Sequence, residues 1–426
     1  MAIDKIGTGL SIPSGTITSA MIADDAISQA DLGTMLSTGN SAPASPFIGQ
    51  FWYKSDTGVT YQRMANADNT TFWLDISSGG IGTTAAGGVD YVGVLDPLVT
   101  HNGGSATLSV GQVYYNRATN KHFTCTSATN DANVWVGSYA GLGGTTTDYL
   151  LSGTYYRVHT FLSSGNFTST SAQSVDILVV AGGGGGGYSV NNGSGSGGGG
   201  AGGFKYHPQK PIAKGNYIVT VGSGGLASTQ TFDNGKTGLN SSFDTLISLG
   251  GGGGGSQDTN QQPGLVGGSG GGGGQDDGAQ HNNGGAGTAN QGNNGGWGTN
   301  HATWSGGGGG GASAVGGNAV GGGIGGAGGA GYAEGATVYN WTAGSGTTTF
   351  PAAFKVGSGS NLAYAGGGGG ATDNSVTAAP GGSGVGGTGG QNTNNGTSGA
   401  ANTGGGGGGD DGHGGSGIVI VRYALT

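Results

Sequence analysis

The sequence predicts a mainly β and irregular protein: an extended N-terminal oligomerisation stem, two small β modules, and a C-terminal antiparallel β domain with stacked polyglycine II helices. Three observations predict it. Short apolar, β-branched runs such as DILVV at 176–180, followed by Ala181 and then six glycines, lead into glycine tracts. A pattern that begins at Gly49 returns at Gly111, a constant offset of 62 (111 − 49). Glycine makes up 109 of 426 residues and is concentrated after residue 180, so a side-chain core cannot fill most of the second half.

Composition removes several function classes. Net charge is −9, and the only Lys or Arg between Lys236 and Arg422 is Lys355; nucleic acid as a partner needs clustered cations. The single Cys125 gives neither a disulfide framework nor a zinc site. No apolar run approaches a membrane span, so no membrane insertion is expected. The N-terminus MAIDKIGTGLSIPSG has no charged region followed by an apolar one, which predicts no signal peptide and synthesis in a cytoplasm. A charged fraction of 8% is too low for charge-rich disorder, and no Gly-X-Y period marks collagen.

Segment 1–40 reads as the stem. Ile12, Ile17, Ile22, Ile27 and Leu32 recur every five residues, a spacing that fits neither helix nor simple strand. GTITSAMIAD followed by DAISQADLGT also reads as a degenerate decapeptide. One such segment cannot bury its apolar stripe, so neighbouring chains are its natural cover; a pentapeptide-type coil within one chain is the alternative.

Segments 41–80 and 81–145 hold two copies of one small module. Trp52 and Tyr53 match Tyr114 and Tyr115, Thr57 matches Thr119, Tyr61 matches Phe123, and Trp73 matches Trp135. Gly58 matches Asn120, the two types that best tolerate positive φ in a hairpin turn. The shared pattern is strand, turn, strand, loop, then a strand carrying Trp. The matched rings read as a mini-core; a carbohydrate platform is the other use of such rings.

In 146–426 the runs 155–161, 175–180, 217–221, 246–249 and 418–423 predict strands, and glycine abuts them in ILVVAGG, IVTVGSGG, LISLGGG and GGSGIVIVRY. They predict an antiparallel sheet whose connections are the glycine tracts and which the last strand closes. Polyproline II geometry rises about 3.1 Å per residue without internal hydrogen bonds. Packed glycine helices can bond laterally, because no side chain separates their backbones. Interior tracts then need glycine almost throughout, as at 306–311. Outer ones need it only on the inward face, as in GGI-GGA-GGA-G at 322–331 and GSG-VGG-TGG at 382–390. A flexible linker is the alternative.

The stripe at 12–32 resembles the decapeptide repeats at the N-termini of bacteriophage tail fibres, and FWYKSDTGVTYQ with FWLD resembles a small module of phage structural proteins. DILVVAGGGGGG, SSFDTLISLGGGGGG and GGSGIVIVRYAL resemble the glycine-rich domain of phage receptor-binding proteins and some bacterial surface proteins, over about residues 150–426. The resemblance implies a phage tail fibre or receptor-binding protein, located in the virion and made in the host cytoplasm. It implies a homotrimer, contact of the N-terminus with other virion proteins, and a host cell-surface glycan or outer-membrane protein as partner. The collinear stem and β modules depart from separate tip adhesins, so the chain looks like fibre and adhesin in one.

Catalysis is not expected, and no cofactor is implied. Matches to GxGxxG are trivial in so glycine-rich a chain, no GK[ST] follows a run, and Glu334 is the only glutamate. Asp276 with Asp277, and Asp410 with Asp411 near His413, read as solvated pairs or at most weak cation sites, so no metal is assigned. Recognition suits the architecture better, because binding proteins present loops on rigid scaffolds. The polar segments 275–305 and 332–365 supply the candidate receptor contacts Trp297, His301, Trp304, Tyr339 and Trp341. Such rings stack on sugars or anchor protein contacts; padding the flanks of the bundle is their other use. Both segments are expected at the end away from the anchoring strands.

The leading functional expectation is a virion fibre that binds the host surface during attachment. A capsid-decorating head fibre, an ice- or surface-binding glycine-rich protein and a structural linker are the others. Ice binding wants flat Thr or Ala arrays, which the aromatic segments interrupt. The stem generates a direct measurement: light scattering on the full-length protein gives about three times the 40.7 kDa chain mass. A monomer that persists at high concentration contradicts it.

Overall fold

The computed structural model describes residues 36–44, 50–55, 59–65, 71–75, 91–93, 97, 108–116, 121–129, 133–137, 141–151, 154–189, 195–230, 233–257, 262–276, 281–299, 304–351, 354, 363–372, 378–391 and 394–425. The stem residues Ile12, Ile17, Ile22, Ile27 and Leu32 lie outside these, as do His301 and the turns containing Gly58 and Asn120. Two compact units divide the chain, one of 1–97, 102–129 and 133–135, the other holding the rest. Among the described residues there is no α-helix; the protein is mainly β, with antiparallel sheets.

Two small sheets near the N-terminus share one design. Strands β1 (Leu36–Gly39), β2 (Phe51–Lys54), β3 (Val59–Ala65) and β4 (Thr71–Asp75) lie side by side in chain order, and β5 (Tyr91–Gly93), β6 (Val113–Asn116), β7 (Lys121–Ser127) and β8 (Val134–Gly137) repeat that order. The first strand of each pairs parallel to the second, Leu36 opposite Phe51 and Tyr91 opposite Tyr114. The sequence repeat does not reveal it, because LSTG and YVG share no pattern. The matched rings are core: Trp52 meets Trp73 edge-on at 5.7 Å and Tyr114 meets Trp135 at 5.8 Å, all four buried.

The second unit contains β9 (Gly141–Leu142), β10 (Thr145–Leu151), β11 (Thr154–Phe161), β12 (Gly165–Ser169), β13 (Gln173–Val180), β14 (Phe204–Ile212), β15 (Gly215–Thr220), β16 (Ser241–Phe243), β17 (Leu246–Ser248), β18 (Thr337–Tyr339), β19 (Thr347–Thr349) and β20 (Ile418–Ala424). They form two five-stranded antiparallel sheets rather than one, ordered β10-β11-β20-β13-β14 and β17-β16-β15-β12-β9. Strand alternation splits β13 and β20 between two cores. Ile177, Val179, Val419 and Val421 meet Phe167 and Phe243 between the sheets. Leu178, Val180, Ile418 and Ile420 point the other way, to Phe350, Phe354 and Tyr364. Burial on both faces explains why these strands read as unbroken apolar runs. It also relocates segment 332–365: instead of lying at the far end, it supplies the aromatic cover that the outer face of β13 and β20 requires.

The sheet also holds its charges inside. Asp176 and Arg422 stand opposite one another on β13 and β20, with Arg422 Nε 3.1 Å from Asp176 Oδ2, Nη1 donating to the Tyr149 hydroxyl at 3.0 Å, and the guanidinium over the Phe354 ring at 4.5 Å. Arg157 grips Asp148 with two bonds of 2.9 and 2.8 Å. A polar relay ties edge strand β9 to the sheet. Gly141 N–H donates to the Tyr423 hydroxyl (2.9 Å), the hydroxyl to His159 Nε2 (3.1 Å), and His159 Nδ1–H to the Gly143 carbonyl (2.7 Å).

Between strands, the glycine segments run as extended tracts. None of the glycines in 182–187, 197–200, 250–255, 270–274, 306–311, 366–370 and 405–409 takes positive φ, so glycine serves close approach here. A Cβ on Gly184 would lie 2.1 Å from the Gly252 carbonyl oxygen, and one on Gly185 2.1 Å from that of Leu226. In tract 181–189, the N–H groups of Ala181, Gly184 and Gly187 donate to Gly203, Gly200 and Gly197, those of Gly182 and Gly185 to Leu239 and Lys236, and those of Gly183 and Gly186 to Gly415 and Gly412. Its carbonyls accept from Gly225 and Ser228, from Gly251 and Gly254, and from Gly407 and Asp410. Every third residue therefore faces the same neighbour, and six neighbours surround the tract.

The bonding continues the sheet. Val180 pairs with Phe204 on one side and Ile418 on the other, and the same antiparallel registers run on into Ala181–Gly203 and Gly183–Gly415. At an outer tract the expected beat holds: Ile324 and Ala327 are exposed while Gly326 and Gly329 are buried. At 382–390 the beat starts late, because Gly382–Gly384 is a 3-10 turn with Ser383 at φ 51° and Gly384 at φ 70°, where the chain reverses.

Two measurements check this fold. A Cβ on Gly308 would meet the Ala327 carbonyl oxygen at 2.0 Å, whereas Ala327 itself is exposed. Gly308→Val is expected to destabilise by about 2 kcal/mol or more and Ala327→Val to change little; equal melting temperatures would remove the close-packed array. Burial also lowers the pKa values of His159 and His207 to about 4, the latter helped by the Lys205 and Lys210 charges. Both rings are neutral in the fold and take up a proton on unfolding below about 6.5. Stability is accordingly full above that pH and is lost as pH falls from about 6.5 towards about 4. Thermal melts at pH 7.5 and 4.5 test this; a flat profile contradicts it.

Candidate recognition surface at the far end of the glycine array

Successive tracts alternate in direction. Those that leave the sheets at 181, 221 and 249 run away from them, and those that end at 203, 240 and 417 return. Residues 189 and 195, 229 and 233, 257 and 262, 276 and 281, 299 and 304, 372 and 378, and 391 and 394, together with the turns at 320–324 and 410–412, consequently lie at the end opposite the sheets.

The buried closing residues can be compared at the two ends. At the sheet end they are mixed: Ala181, Ala201, Ala312 and Ala365 stand beside Ser269, Gln291 and Thr403. At the far end they are polar, with Ser196, Gln275, Ser305 and Thr372 fully buried and Asp276 and Asp410 nearly so. Strands continue the backbone bonding at one end; at the other the tracts stop, and short polar side chains stand where backbone bonding ends.

The five sequence candidates do not form one surface. Trp297 lies near the far end of tract 291–299, is 45% exposed, and stacks on His281 at 5.8 Å and 22°. Trp304 is half-buried where the next tract begins, and His301 is outside the described residues. Tyr339 and Trp341 sit at the sheet end instead. Lys205 Nζ lies 4.0 Å over the Trp341 ring, Tyr339 meets that ring edge-on at 4.9 Å, and Trp341 N–H donates to the Tyr206 carbonyl at 3.4 Å. An aromatic among glycines looks the same in sequence at either end; only tract direction separates them. Counting direction would also have drawn His281 and Asn318 to Trp297, which composition alone did not.

The carboxylate groupings are taken up by the array. Asp410 N–H donates to the Gly187 carbonyl, and Asp411 accepts from Asn395 Nδ2 at 2.6 Å. His413 Nδ1 accepts the Ala227 N–H at 2.9 Å and so faces tract 221–229. Asp277 lies outside the described residues. A cavity of about 190 Å³ at the edge of the sandwich is lined by Ile177, Tyr217 and Phe243, with Lys210 and Asp244 in its walls. It is smaller than the roughly 300 Å³ at which ligand pockets begin.

A family of glycine-rich domains matches residues 160–424, from β11 to the last strand, and the chain belongs to that family. No curated protein matches the chain.

Proposed function

We propose that this member of the glycine-rich domain family is a bacteriophage virion fibre protein that binds the host cell surface during attachment, its tracts being polyglycine II helices. The observation that carries the reading is the gathering of tract ends on the side of a backbone-bonded array away from the sheets, with the exposed Trp297 near them. The array is a stiff scaffold and the segments are its variable part, the division of labour of many binding proteins.

In this reading residues 1–40 trimerise and contact other virion proteins, and the far end takes a host cell-surface glycan or outer-membrane protein. Segment 275–305 holds no Lys or Arg, so binding there rests on stacking and hydrogen bonds and depends little on salt. A capsid-decorating fibre would use the same chain elsewhere on the particle. Ice binding is disfavoured because the outward positions carry Leu226, Lys236, Val266, Ile324 and Thr388 rather than one repeated side chain.

Labelled protein incubated with a panel of bacterial hosts tests the proposal: it should attach to one of them and block infection. Replacing Trp297 and Trp304 together by Ala is expected to abolish most attachment with the melting temperature nearly unchanged. Replacing Tyr339 and Trp341 should do the reverse. Normal attachment by the first double variant removes the far end as the contact surface.

A further inference from the structure

We infer that the ledge formed by Trp297 and His281 is a binding site for a neutral hexopyranose, the repeating unit of a cell-surface polysaccharide. This rests on the reading of the far end as the host-contact surface and narrows its partner to a glycan.

Trp297 is held before any ligand arrives. Its N–H donates to Asn318 Oδ1 at 3.1 Å, and its carbonyl accepts the Ala319 N–H at 2.9 Å, so its backbone is fixed to the neighbouring tract. His281 Nδ1 lies 3.1 Å from the Gly298 carbonyl, which ties the imidazole to the residue after Trp297. A ring nitrogen facing a carbonyl must donate, so in the neutral ring Nδ1 carries the proton and Nε2 is an acceptor. The imidazole stacks on the indole at 5.8 Å and 22°, and 45% of Trp297 still faces solvent.

A fixed, flat ring costs little ordering entropy when it binds. The exposed part of the ring offers an apolar surface to the C–H face of a pyranose, and the residue's polar partners, Asn318 on its backbone N–H and His281 on its ring, carry an amide donor and an Nε2 acceptor for hydroxyl groups. The choice of a neutral sugar follows from charge: the residues bonded to or stacked on Trp297 are Asn318, Ala319 and His281, and segment 275–305 holds no Lys or Arg to meet a phosphate or carboxylate group. A protein partner would use the same ring as an anchor, and the periodate and protease arms of the test separate the two.

The test uses the full-length protein with the methyl glycosides of glucose, galactose and mannose and the polysaccharides dextran, galactan and mannan. Binding is read by saturation-transfer NMR and Trp fluorescence. At least one sugar should bind with a dissociation constant on the order of millimolar. Trp297→Ala should weaken that binding about tenfold or more and His281→Ala several-fold, while Trp297→Phe retains part of it and Trp341→Ala all of it. No binding by any of the six sugars, or binding untouched in Trp297→Ala, overturns the inference. Attachment to cells that survives periodate but not protease also overturns it, naming a protein partner and leaving the host-contact reading standing. Sugar binding without attachment to any host does the opposite.

Discussion

The hydrogen bond from a tract N–H to the carbonyl of a neighbouring tract, repeated at every third residue, is the interaction on which the second unit depends. Glycine loses more conformational entropy on ordering than any other residue, and each tract residue must recover it through backbone contacts alone. That requires carbonyls so close that a Cβ would sit about 2 Å from them, as at Gly183, Gly184 and Gly308. The composition, the three-residue beat of the outer tracts and the placing of loops at two ends all follow from this one constraint.

Glycine cannot specify its own register, because no side chain distinguishes one alignment of a tract from the next. The sandwich supplies the alignment. Val180, Phe204 and Ile418 fix three chains by their burial, and the bonding of Ala181, Gly183 and Gly184 carries the same registers onward. A small apolar core thereby aligns a much larger volume that has none. Connections remote from it can differ in length and content without disturbing alignment.

Much of this was legible in the residues, and the exceptions have physical causes. Strand runs flanked by glycine, the Trp and Tyr cores of the repeated module, and the beat at 322–331 all rest on local periodicity, which sequence displays directly. The parallel strands β1 and β5 escaped because parallel pairing is a long-range choice that LSTG and YVG do not encode. Segment 332–365 was misplaced because the need for a cover arises only once β13 and β20 are known to lie in the middle of a sheet. Of the candidate contacts, Trp297 and Trp304 lie at or near the far end and Tyr339 and Trp341 at the sheet. The reversals of direction that separate them are a count along the chain rather than a property of any residue.

Strand β20 has a consequence for how the protein is made. It fills the slot between β11 and β13, and its Arg422 closes on Asp176 across 246 residues of sequence. A ribosome delivers both flanking strands, and then every tract, before it delivers the residues that join them. Until residue 418 emerges, β11 and β13 each expose a bare strand edge, a template for pairing with the wrong chain, and the glycine segments lack their aligned starting point. Assembly of this unit therefore waits for β20, with high contact order and slow kinetics. A chain that stops before β20 lacks the strand that joins β11 to β13, and with it the register from which the tracts are aligned.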